Sequence, residues 1–304
     1  MKKSIKYVTI IAVVAVVLLL TLTGCSQTPY DQYLNIKWDK TAKSKEVATY
    51  SYTYEKTGQE TLTGTLTTTI YEAKDHTFNI GSKEFADVKD GTFYEYELNV
   101  SNGDRLYGSA YFKGYHNQFF RPVEVYSERK IDGKTSSFQT TYSSNSLKTI
   151  YTENGVSKTL NCNFNKKGLV FDNVQLHAIA RTLNFGQNGQ LAFETPIFEN
   201  GSLYAKKVAM GGTSRINYNV ANKDNEITDK TFEFVNNGEK FGAVIVVLTI
   251  NEKPAGIPQR IVVADKPYSI NGTTFDQAVL RIEEGNKDKG LSTYVLTGME
   301  KVMF

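Results

Sequence analysis

The chain has 304 residues, of which 40% are hydrophobic, 12% aromatic and 22% charged, with 2 cysteines and a formal net charge of +3. That length suits one large domain or two modest ones with a substantial core, and the balanced, apolar composition excludes a disordered tail. Two cysteines exclude a disulfide scaffold and a multi-cysteine zinc site.

The chain opens with Lys2, Lys3 and Lys6, then runs uncharged from Tyr7 to Gly24. A basic region followed by an apolar one is the pattern of an export signal. The competing reading is an uncleaved anchor, since the run approaches the ~18 apolar residues that span a bilayer. Leu22-Thr23-Gly24-Cys25 decides for the signal: an aliphatic residue, two small ones and a cysteine resemble the lipobox of bacterial lipoproteins. That resemblance implies a diacylglycerol on the Cys25 thiol, further acylation such as palmitate, and cleavage just before Cys25. Two acyl chains hold a protein on a membrane stably, at ~0.8 kcal/mol per buried methylene. The expectation is a signal peptide over 1–24, a lipid-anchored tether over 25–45 and one β-rich extracytoplasmic domain over 46–304. It would sit on the cell membrane, or on the outer membrane if the cell is Gram-negative. The three leader lysines account for the whole +3 excess. The mature side chains therefore balance, and charge gives no case for nucleic acid as a partner.

In chain order, Tyr30, Tyr33, Leu34 and Trp38 recur at helical spacing and predict a short helix in the tether. From Glu46 the chain reads as β. Ala48, Tyr50, Tyr52 and Tyr54 share one strand face; Leu62, Leu66 and Ile70 share another. Tyr94, Tyr96, Leu98 and Val100 alternate with Phe93, Glu95, Glu97 and Asn99, as half-buried antiparallel strands do. Asp132-Gly133 and Asn154-Gly155 are the strongest hairpin signals, because such pairs take the positive φ angles that tight turns demand. Asn-Gly recurs at Asn102, Asn188, Asn200, Asn237 and Asn271, and Asp-Gly at Asp90. Between two groups of strands, Leu176, Ile179, Ala180 and Leu183 form an apolar stripe. This predicts one helix over Asp172–Phe185, capped by Asp172 or Asn173 and covering a sheet face. Further strands follow, separated by a turn at Gly211-Gly212. Among them AVIVVLTI is apolar enough to be buried on both faces, and a last hairpin turns near Asp288-Lys289-Gly290. The fold class is mainly β: a large antiparallel meander, curved into a half-barrel or open barrel, with one helix covering it.

Catalytic patterns are sparse. His76, His116 and His177 match no metal-ligand spacing, and no cofactor motif appears. Cys162 shares a strand face with Leu160 and Phe164, as a buried inert thiol would; a nucleophilic pair with His177 is the alternative. Glu95 and Glu97 leave one strand face ~6.5–7 Å apart, a separation that overlaps some glycosidases. The core-like face opposite them makes them solvent residues instead. Glu283 and Glu284 are adjacent and point to opposite sides, so they cannot act as a pair. The chain therefore reads as a non-enzyme. With 19 Tyr and 17 Phe, the rows Tyr50-Tyr52-Tyr54 and Tyr94-Tyr96 either pack across strands or line a groove for an apolar ligand.

A lipobox followed by a long meander with one interposed helix is similar to bacterial lipoprotein-carrier and localisation proteins. That resemblance implies a curved half-barrel whose concave face is plugged by helices and accepts acyl chains. Phe171-Asp172 through Arg181-Thr182-Leu183, with the later Ile257-Pro258-Gln259-Arg260-Ile261, resembles a family of uncharacterised exported β-rich proteins. The functional expectation is a lipoprotein binding a hydrophobic or amphipathic ligand in an aromatic groove. The alternative is a structural lipoprotein that engages an envelope protein, and an envelope hydrolase has least support.

Overall fold

In a computed structural model of the chain the described residues are 43–113, 120–165, 168–183, 191–218, 234–236, 239–250, 260–264, 267–270, 273–286 and 288–304. Side chains are described at these positions except at 211–250, 268 and 270. All lie in one compact unit, Tyr33–Phe304. The leader, the lipobox, the Tyr30–Trp38 helix, His116, segment 257–259 and the Gly pairs at Asn188, Asn237 and Asn271 lie outside the described residues.

The predicted alternation at the start becomes β1 (Ser44–Glu55) and β2 (Leu62–Glu72). A small hairpin, β3 (Phe78–Ile80) with β4 (Lys83–Phe85), precedes a run of six strands that neighbour one another in chain order. These are β5 (Thr92–Val100), β6 (Arg105–Lys113), β7 (Arg121–Ile131), β8 (Lys134–Tyr142), β9 (Ser146–Glu153) and β10 (Val156–Asn163). Asp132 and Gly133 turn β7 into β8 at φ 50° and 73°, and Asn154 and Gly155 turn β9 into β10 at φ 48° and 80°. Both pairs have the two positive φ angles of a tight hairpin.

The chain then crosses to the other side through a short helical segment and returns. The strands of this second wing are β11 (Leu191–Glu199), β12 (Ser202–Tyr218), β13 (Phe234–Asn236), β14 (Glu239–Ile250) and β15 (Arg260–Ala264). A second small hairpin, β16 (Tyr268–Ile270) with β17 (Thr273–Phe275), leads into β18 (Val279–Asn286) and β19 (Gly290–Met303). The main sheet runs β10-β9-β8-β7-β6-β5-β2-β1-β19-β18-β15-β14-β12-β11, with β13 beside β14. Each of its strand pairs is antiparallel. The first and last strands are therefore central neighbours, with Tyr52 opposite Tyr294.

The sheet does not close into a barrel. It curls until its wing tips meet through side chains and one isolated parallel bridge, Val170 to Glu194. The Lys158 ammonium donates to the Gly201 carbonyl at 2.9 Å. The Phe198 ring lies 5.1 Å from Phe138 and 4.9 Å from Tyr151.

Two sequence expectations are corrected. The predicted helix over Asp172–Phe185 is a 3-10 turn at Asn173–Gln175 followed by α1 (Leu176–Ala180). Its start is as expected: the Asp172 carboxylate accepts from the Val174 amide at 3.0 Å, and the Gln175 side chain accepts from the Asp172 amide at 3.2 Å. Its early end has a local cause and a distant one, the Gln277 side chain donating to the Leu183 carbonyl at 3.0 Å. The Thr182 hydroxyl donates to the Ile179 carbonyl at 2.7 Å, and the Arg181 and Thr182 amides bond three residues back. The turn is thereby tightened and a carbonyl that another helical turn would use is captured. The helix does cover a sheet face, and with Leu176, Ala178, Ile179 and Ala180 all buried it plugs the interior of the curled sheet. The second correction concerns Gly211-Gly212, which makes no turn. It lies within β12, where the register against β14 shifts between Gly212 and Ser214. Glycine suits such a bulge because the bulged residue leaves ordinary strand angles.

The plug is tied down by charge. Arg181 pairs with Glu46 of β1 at 2.8 Å and donates to the carbonyls of Gln277 at 3.2 Å and Asp276 at 2.9 Å. Both charged side chains are buried, so removing one strands the other in low dielectric at a cost of about 3–5 kcal/mol. Arg181→Ala is expected to lower unfolding stability by that amount in urea denaturation, whereas a loss below about 1 kcal/mol would show that the plug is not held this way.

Candidate functional site

The plug divides the interior. On one side of α1, Ala48, Tyr50, Ile70 and Tyr94 pack with Val279 and Met299, leaving about 20 Å³ between them. The Tyr50 hydroxyl is used up in a 3.1 Å bond to the Val279 carbonyl, and burial raises both phenols well above their ordinary range. On the other side, toward the end where the Asp132-Gly133 and Asn200-Gly201 turns lie, a cavity of about 400 Å³ stays open. That volume falls in the range of small-molecule pockets.

Its walls are mostly apolar, with Leu66, Leu98, Leu106, Val125, Ile197 and Phe198 contributed by both wings. One region is different. Tyr52, Tyr96 and Tyr294 present their rings there, with Ser292 and Glu284 beside them. The Tyr52 and Tyr294 rings stand 5.0 Å apart at 41°, as cross-strand neighbours. Tyr96 lies against β6 at Gly108, where an added Cβ would come within 2.5 Å of the ring. Only a residue with no side chain lets the ring lie there.

Of the five tyrosines that sequence placed in rows, the structure therefore puts Tyr52 and Tyr96 on the cavity and Tyr50 and Tyr94 in the packed core under α1. Tyr54, half-buried, stands over Gly290 at the β18–β19 hairpin, outside the cavity lining. Other aromatic residues serve neither role. Tyr71, Phe78, Phe93 and Tyr111 form a separate core with Ala73, Ile80 and Val88, packed by the β3–β4 hairpin.

The chemistry-bearing residues sort by their partners. The Tyr107 hydroxyl donates to Glu95 at 3.3 Å, and Glu97 pairs with Arg105 at 2.7 Å. Cys162 is buried, its thiol held above the ordinary range by burial and donating to the Asn163 carbonyl at 3.8 Å, which opposes nucleophilic use. His76 packs against the rings of Tyr71 and Phe304. His177, on α1, faces the cavity. Burial lowers its pKa to about 4, so it is neutral at pH 7, and its Nδ1 has no hydrogen-bond partner among the described residues. Among the described residues no cluster of His, Cys, Asp or Glu could hold a metal, and no helix is long and apolar enough to cross a membrane.

Glu284 is the residue that sequence reasoning passed over. Glu283 and Glu284 do point to opposite faces: Glu283 pairs with Arg281 at 2.6 Å, and Glu284 enters the cavity. Burial raises the Glu284 pKa to about 7, opposed by a hydrogen bond with Tyr294. The signal was present in the alternation of β18, where Ile282 and Glu284 share the inward face and a carboxyl stands where an apolar residue fits.

A carboxyl whose pKa rises from an ordinary 4.5 to about 7 on folding binds its proton more tightly in the native state. Its contribution therefore lowers stability as pH rises through that interval, and the loss is complete above it. Because Glu284 keeps some exposure to the cavity, solvent reduces the effect. Glu284→Gln, which cannot ionise, is expected to be more stable than the wild type by about 1–3 kcal/mol at pH 8 and close to it at pH 4. Urea denaturation at the two pH values measures the difference.

No family model matches the chain, and no curated protein matches it. Among solved structures, the crystal structure of a beta-barrel-like protein of domain of unknown function DUF1849 from Brucella abortus is similar to it. The two share 12% identity over 86% of this chain and 98% of that one, with a TM-score of 0.43.

Proposed function

We propose that the chain is a lipid-anchored extracytoplasmic protein that holds a hydrophobic or amphipathic small molecule inside its curled sheet. The observation that carries this reading is the cavity of about 400 Å³ on one side of α1. Interiors are normally packed to the density of organic crystals. A space this size, with leucine and phenylalanine walls and interspersed polar groups, is what ligand pockets look like. The reading is of a binding module rather than an enzyme, because Glu95, Glu97 and Cys162 are engaged structurally. The anchor rests on Leu22-Thr23-Gly24-Cys25 and the leader before it.

Two measurements test the two halves. Cells fed labelled palmitate are expected to label the wild-type chain and not Cys25→Ala; persistent labelling of the variant would remove the anchor. For the pocket, a chain starting after Cys25 is purified without detergent, and its organic extract is analysed by mass spectrometry. One molecule is expected in near-stoichiometric amount, and Ser127→Trp, which fills the cavity from β7, should lose it. A folded protein that yields a clean extract would favour the alternative role of engaging another envelope protein.

A further inference from the structure

The buried carboxylates of this protein are neutralised or hydrogen-bonded one by one. Glu46 has Arg181 at 2.8 Å, Glu124 has Lys83 at 2.9 Å, and Glu283 has Arg281 at 2.6 Å. Of the acidic residues that line the cavity, Glu128 accepts from Arg105 at 3.3 Å and from the Tyr126 hydroxyl at 2.8 Å. Asp172 accepts from Tyr142 and from the Val174 amide. Glu284, like Asp172, has only neutral donors beside it. Its interaction is with the neutral Tyr294 hydroxyl, and no cation pairs with it among the described residues. Arg129, which also lines the cavity, is exposed to solvent and lies within electrostatic reach of Tyr96.

What surrounds Glu284 is the second observation. Tyr52, Tyr96 and Tyr294 come from three different strands, and the phenol of each lies within electrostatic reach of the Glu284 carboxyl. All four line the same cavity. The ring face of tyrosine carries negative potential and attracts a cation, more strongly where water is excluded. An isolated buried carboxyl needs a counter-charge to stay ionised. Three tyrosines around one carboxyl without a cationic partner among the described residues, in a cavity that also has leucine and phenylalanine walls, make a receptor for a positive charge that carries apolar groups.

We propose that the ligand is an organic cation, a substituted ammonium held among Tyr52, Tyr96 and Tyr294 with Glu284 as its counter-charge. This rests on the cavity being a ligand site. The apolar walls take the substituents and the rings cover the charged nitrogen. The carboxyl that is expensive to the empty protein becomes the group that selects the ligand.

The test uses the full lipidated chain in a non-ionic detergent and a pair of probes of equal shape, choline and its uncharged isostere 3,3-dimethylbutan-1-ol. Binding is followed by calorimetry at pH 8, where Glu284 is ionised. The wild type is expected to prefer choline by at least tenfold, and in Glu284→Gln that ratio should fall to about one. Tyr96→Leu serves as the second variant, should Glu284→Gln fail to fold, and is expected to reduce the ratio severalfold. Dodecyltrimethylammonium, kept below its micellar concentration, separates the sources. Tighter binding than choline marks the head of an amphiphile and equal binding a free cation, and either supports the proposal. Equal affinity for choline and its isostere, or a ratio unchanged in both variants, overturns the cation while the pocket stands. If no probe binds and the mass-spectrometric extract is also empty, the pocket reading fails with it.

Discussion

A sheet curled from this many strands encloses more space than its own inward side chains can fill, and the way that space is filled governs everything else. The short segment Phe171–Leu183 is the filling. It enters where the chain crosses from one wing to the other, between β10 and β11, so the crossing and the plug are one piece of chain. Its burial of Phe171, Leu176 and Ile179 supplies apolar area, but the segment is too short to be stable as a helix alone. What fixes it is polar: the Asp172 and Gln175 cap at its start, Gln175 donating to the Phe120 carbonyl at 2.7 Å, and Arg181 at its end. The cap bonds stay within the segment, while those of Gln175 to Phe120 and of Arg181 to Glu46 tie it to a connecting loop and to β1. A plug five α-helical residues long fills one side of the interior and leaves the cavity on the other.

The same low-dielectric interior sets two regimes for charge. Where burial is accompanied by a partner, as at Glu46 and Arg181, the pair contributes chiefly position, because desolvation offsets much of its attraction. Where burial comes without one, the group shifts its pKa instead. His177 and Glu284 both belong to the second regime, in opposite directions: one lowered to about 4, the other raised to about 7. Both border the cavity, so it is lined near neutral pH by a neutral imidazole and a carboxyl poised between its two forms.

Much of the architecture was legible in the sequence because the period-two signal is strong wherever one strand face is wet. The Tyr50-Tyr52-Tyr54 row, the Asp132-Gly133 and Asn154-Gly155 turns and the Asp172 cap all follow from local chemistry, and the structure has them. What local chemistry does not contain is which part of an inward face meets a plug and which meets open space. Tyr50 and Tyr52 are indistinguishable by pattern, and only the position of α1 separates a core residue from a cavity residue. The length of α1 was misread for a related reason. A stripe at helical spacing persists through Leu183, but the bonds that stop the helix come from Thr182 folding back and from Gln277, nearly a hundred residues away. Aromatic count misled similarly, since part of it builds the core under the β3–β4 hairpin.

Two residues near the Tyr96 ring depart from ordinary strand composition. Gly108 sits in the middle of a strand, where glycine is entropically unfavourable, and Glu284 puts a carboxyl on an apolar face without a cation. Gly108 is what the packing of the Tyr96 ring requires, whereas an aliphatic residue in place of Glu284 would serve a packed interior better. Together they make sense as one device. Gly108 lets the Tyr96 ring lie against β6, within electrostatic reach of the Glu284 carboxyl. Departures from local consistency tend to gather where a protein gives up stability for function. Here two of them, on strands far apart in sequence, converge on the same few tyrosine rings. That convergence is the physical argument for the proposed cation beside Glu284, the exposed Arg129 being the one positive side chain that also acts on Tyr96 among the described residues.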